Sequence, residues 1–125
     1  MASDPVGPDG PDSRAKAERD MEGMLAAAIT LLADLEHHVT VSREILDGVR
    51  RQDALDGVLD QAGSGALRRR LTDSLTAYER SRHLARLRLI ALGTEEGMTL
   101  TQVQERWAIT RQLTQRALRD IADLD

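Results

Sequence analysis

The 125-residue sequence has no cysteine and no phenylalanine, with one Trp, one Tyr and three prolines. Without thiols there can be no disulfide, no zinc–thiolate site and no cysteine nucleophile. With so few rings, a core has to be assembled from Leu, Ala, Ile, Val and Met, within a hydrophobic fraction of 41%. That palette favours helices over sheets. The prolines stand at positions 5, 8 and 11, so none interrupts a later segment. The N-terminus MASDPVGPDGPD lacks the basic and apolar regions of a leader, and no apolar run approaches the roughly 18 residues of a membrane span. A cytoplasmic protein without membrane association is expected.

Catalytic signatures are missing as well. The chain has no phosphate-binding glycine loop, no GxSxG, no HExxH and no nucleophile beside a base, so neither an enzyme nor a cofactor is expected. His37 and His38 are adjacent and would point about 100° apart on a helix. Asp34 and His38, four residues apart, supply two ligands only, and no metal is expected. Asp53, Asp56 and Asp60 read as a solvated acidic stripe without calcium-loop spacing around it. Arg68, Arg69 and Arg70 wrap most of the way round one helix and read as a surface cluster.

Residues 1–12 alternate Pro, Gly and Asp, a composition that cannot bury enough apolar surface to offset its ordering entropy, and predict a disordered tail. Ser13 fits an N-cap. From there Leu25, Ala28, Leu32, Leu35, Val39, Ser42, Leu46 and Val49 recur at alternating spacings of three and four, an a/d seam sustained for nearly four heptads. Gly48 and Gly57 should weaken this helix, with a short piece over Ala54 to Gln61 continuing it. Gly63-Ser64-Gly65 predicts a hairpin turn. A further helix from Ala66 to about Leu92 carries Leu67, Leu71, Ser74 or Leu75, Tyr78, Leu84 or Ala85, Leu87 and Ala91 on one side and many arginines on the other. The expected fold is therefore all-α: a long antiparallel helical hairpin over 13–92, followed by a smaller unit over 93–125. A two-helix hairpin buries little, so the seam predicts a homodimer through the long helices.

The formal net charge of -4 hides an uneven distribution. Residues 1–65 carry six basic and thirteen acidic side chains, whereas residues 66–119 carry eleven arginines against five acids. The plain reading is charge decorating helix surfaces. The basic half, however, also contains the stretch GMTLTQVQERWAITRQLTQRALRDI, Gly97 to Ile121. Thr99 and Gln102 have capping-box spacing, and Leu100, Val103 and Trp107 share one face of a short helix. Ala108-Ile109-Thr110 reads as a tight turn, with Ile109 buried and Thr110 capping a second helix. In that helix Leu113, Ala117, Leu118 and Ile121 should face inward. Arg111, Gln112, Gln115, Arg116 and Arg119 are left outside. Arginine pairs bidentately with guanine and glutamine with adenine in the major groove, so Arg111, Gln112 and Gln115 are candidates for base contact and Arg116 and Arg119 for phosphate.

The segment from about Arg86 to Ile121 resembles the helix-turn-helix of bacterial regulators, recombinases and transposases, and of sigma-factor region 4. The positions that carry the resemblance are Gly97, Leu100, Val103, Ile109, Thr110, Arg111, Arg116 and Leu118. They stand where that pattern usually has glycine, leucine, isoleucine, valine, serine, a polar residue, arginine and leucine. Gln104 stands where a small residue is preferred, Ala108 where a turn glycine is usual, and Thr114 where a buried valine is usual. The resemblance implies a regulator that places the Thr110–Ile121 helix in the major groove of double-stranded DNA. The competing reading is a helical protein-interaction factor of the anti-sigma or adaptor kind, whose seam grips another protein and whose helix-turn-helix is only scaffold.

Overall fold

The computed structural model describes residues 11–124, and of the expected tail over 1–12 the first ten residues lie outside them. The described residues form helices α1 Pro11–Arg50, α2 Leu55–Ala62, α3 Ser64–Glu95, α4 Leu100–Trp107 and α5 Arg111–Ala122, an all-α fold. Helix α1 starts before the expected cap at Ser13. Proline tolerates a first-turn position because its missing N–H would be unpaired there anyway. The chain divides into two compact units, one of residues 25–80 and one that joins the N-terminal part of α1 to residues 81–125.

In the unit of residues 25–80, the second part of α1 packs against the first part of α3. Val41 and Leu67 are buried there, and the hydroxyl of buried Ser74 donates to the carboxylate of Asp34. Gly48 does not break α1. A Cβ at that position would lie 2.7 Å from Cγ2 of Val58, so the glycine lets α2 approach closely. Helix α1 instead ends on a left-handed Gln52 (φ 63°), with Asp53 N–H donating to the Gly48 carbonyl and Gln52 N–H to the Val49 carbonyl, each at 3.0 Å. This is the two-bond Schellman arrangement, with Gln where glycine is usual. Gly63 (φ 67°) caps α2, while Ser64 and Gly65 already belong to α3. The reversal is thus spread over the turn at 51–54, α2 and Gly63, because the α1 C-terminus is closed by its own cap ten residues earlier.

In the other unit, the N-terminal part of α1 runs antiparallel to the C-terminal part of α3. Arg88 Nε donates to Asp20 Oδ2 at 2.9 Å, with both side chains nearly buried. About two turns further along, Ser13 Oγ donates to Glu95 Oε1 at 3.1 Å and Arg14 pairs with Glu96. Helix α3 continues through Gly93 and ends in a second Schellman arrangement. Met98 N–H donates to the Gly93 carbonyl at 2.9 Å and Gly97 N–H to the Thr94 carbonyl at 3.1 Å, with Gly97 at φ 98°. The sulfur of Met98 occupies the space that a Cβ at Gly93 would need, so the glycine admits it.

The a/d seam of α1 is mostly exposed: its leucines and valines keep between 39% and 58% of their surface. By length and composition α1 is also apolar enough to cross a membrane, although only 11% of its most apolar stretch is buried. Counting unbroken apolar runs misses this, because Asp34 and Glu36 interrupt the stretch.

Candidate nucleic-acid interface

Helices α4 and α5 are each too short to be stable alone, so their ends and their packing must hold them. Thr99 forms the expected capping box: its hydroxyl accepts from Gln102 N–H at 3.2 Å, and the Gln102 side chain accepts from Thr99 N–H at 2.9 Å. Thr110 caps α5 by accepting from Leu113 N–H at 3.1 Å. Leu87, Ile90, Val103 and Ala117 form a buried cluster, with Met98, Trp107, Ile109, Leu118, Ile121 and Leu124 packed around it. Side chains of α3, α4 and α5 therefore share one small core.

The turn between α4 and α5 uses the conformation that its sequence disfavours. Ala108 is left-handed (φ 51°, ψ 45°), and its N–H and that of Ile109 both donate to the Gln104 carbonyl. A Cβ in this region costs roughly 1 to 2 kcal/mol. Thr114 is fully buried, and its hydroxyl donates to the Thr110 carbonyl at 2.9 Å. The desolvation expected of that hydroxyl is met within the helix itself, a back-bond that an i, i+4 threonine makes readily. Gln104 is half-buried, and Val103 beside it is still fully enclosed against the shared core.

Two expectations of facing need correction. Leu100 and Leu113 are 46% and 43% exposed rather than inward-facing. Thr114, not Leu113, fills the first inward position of α5, because the cap at Thr110 sets the helix phase so that 114, 117, 118 and 121 turn toward the core. Position 114 lies in that phase at the i, i+3, i+4, i+7 spacing, and only its hydroxyl disguised it.

Arg111, Gln112, Gln115, Arg116 and Arg119 are all exposed on α5. At about 100° per residue they fall within an arc of about 140° that does not overlap the buried side. The first turn of α5 contains Arg111 and no acidic residue. Helix N-termini favour anions and disfavour cations by some tenths of a kcal/mol, so an arginine there is a local cost that an external anion would remove. Rigid backbone, a row of planar donors and a positive helix end suit phosphate and the acceptor edges of bases. Elsewhere, Asp34 is engaged with Ser74 rather than with His38. Among the described residues no group of three or more His, Cys, Asp or Glu is placed to hold a metal.

No known family, curated protein or solved structure matches the chain.

Proposed function

We propose that the chain is a sequence-specific DNA-binding transcriptional regulator, with α4 and α5 as its helix-turn-helix and α5 inserted in the major groove. The observation that carries this reading is the division of α5 into two sides. Thr114, Ala117, Leu118 and Ile121 turn toward the core, and a separate exposed arc presents Arg111, Gln112, Gln115, Arg116 and Arg119 together. Arg111, Gln112 and Gln115 near the helix start read base edges, whereas Arg116 and Arg119 bind phosphate and set the register.

Fluorescence anisotropy on duplex DNA at rising salt tests the proposal. Affinity should fall steeply with salt, and Arg119→Ala should lower the log–log slope by about one unit. Arg111→Ala and Gln115→Ala should instead relax preference at single bases by about 1 to 3 kcal/mol. Absence of duplex binding at low salt removes the reading. A second reading, a helical protein-interaction factor, draws on the exposed seam of α1. It predicts capture of a stoichiometric protein partner without DNA.

A further inference from the structure

Helix α1 carries two heptad seams side by side. Ala27, Leu31, Asp34, Val41, Ile45 and Gly48 form one, at spacings of three, four and seven, and all six are buried or half-buried within residues 25–80. Asp34 bonds Ser74 of α3, and Gly48 admits Val58 of α2, so this seam is the one that the chain itself covers. The other, from Leu25 to Val49, runs about 36 Å along the helix and is left exposed by the described residues. A contiguous apolar strip of that length on an otherwise charged protein marks a contact surface.

We propose that a second copy of this chain covers the Leu25–Val49 seam, with the two α1 helices antiparallel. The order of large and small residues carries the orientation. An antiparallel pairing that uses every seam position sets Leu25 against Val49, Ala28 against Leu46, Leu32 against Ser42, and Leu35 against Val39. Each small residue then faces a leucine. A parallel in-register pair would set Ala28 against Ala28 and Ser42 against Ser42, leaving two voids in a dry seam, and voids of that kind are costly. The antiparallel pairing also lays the stem of Arg43 over Ile29, the most exposed large apolar side chain of the helix at 68%. It brings Glu36 against its own copy. A two-fold contact of this sort closes on itself and leaves no further seam to extend. A lipid surface is the weaker fit, because Glu36, His37, His38, Thr40, Arg43 and Glu44 are all exposed around the same turns.

Because the chain has no cysteine, introduced ones report alone. Leu25→Cys and Val49→Cys proteins, mixed and treated with a bis-maleimide much shorter than the seam, should cross-link to each other, while neither cross-links to itself. Sedimentation at tens of micromolar should give twice the chain mass of 13.8 kDa. Leu32→Asp should return it to the single-chain mass with helical circular dichroism unchanged, since Leu32 is exposed in the protomer. Glu36→Gln should tighten self-association about twofold by removing like charges. Self-cross-linking of either single variant overturns the antiparallel arrangement. A single-chain mass for the unaltered protein overturns the dimer, and a Leu32→Asp protein that stays paired overturns the Leu25–Val49 seam as its interface. Sedimentation of single chains with phosphatidylcholine vesicles would assign the seam to a membrane instead.

Discussion

The two units of this chain spend their apolar residues in opposite ways. The unit that contains α4 and α5 encloses Ile90 and Val103 completely and holds its short helices with two threonine caps. The unit of residues 25–80 has long stretches of α1 and α3 but buries Val41 and Leu67, with the Asp34–Ser74 pair about two turns away, and leaves a row of leucines and valines outside. Helix length alone therefore does not indicate where a core is. The short α4 and α5 are closed by threonine caps and packed on a shared core, although α2, as short as α4, has no side-chain cap and no buried residue. A long helix can persist with a bare face, which is then available to something else.

The contrast breaks first at single apolar side chains. Ile90→Ala should cost about 2 to 5 kcal/mol, because it empties an enclosed site, whereas Leu32→Ala should change the stability of the isolated chain by no more than about 0.5 kcal/mol. Denaturant unfolding at low protein concentration measures both, and equal costs would mean that the seam is already covered within the protomer. Next in size is the polar pair. Ser74→Ala leaves the buried carboxylate of Asp34 without its hydroxyl donor and should cost about 1 to 3 kcal/mol in the same measurement. A negligible effect would show that water reaches Asp34 and that this unit is more open than its burial suggests. The smallest effect is expected at the turn. Ala108→Gly relieves a left-handed alanine and should stabilise by about 1 kcal/mol, read as a rise in melting temperature. A fall instead would mean that the flexibility gained in the unfolded chain outweighs the relieved strain.

Much of the architecture was legible residue by residue. The capping box at Thr99 and Gln102 and the cap at Thr110 follow from local chemistry, and each is present. The outer arc of α5 was readable from spacing, and its five side chains are exposed as spacing requires. Gly48 misled, because it lies inside a long helix where propensity predicts weakening, and Gly93 lies inside α3, which was expected to end at about Leu92. Their purpose is to admit Val58 and Met98, contacts that no local rule registers. Thr114 misled in the other direction, since its polarity suggested a defect where the helix supplies the acceptor. Leu100 and Leu113 have the hydrophobicity of core residues, yet cap-determined phase leaves both partly outside.

By itself the sequence determined that the chain is helical, where its short helices start and which side chains one of them presents. Those properties depend on spacing, caps and the absence of ring-bearing or proline-broken segments, all of which act over a few residues. Tertiary structure alone decided which of the two neighbouring seams of α1 the chain covers. Both have the same period and both include small residues, but it is Gly48 that lets α2 come close and Asp34 that accepts the hydrogen bond of Ser74, and both lie on the covered seam.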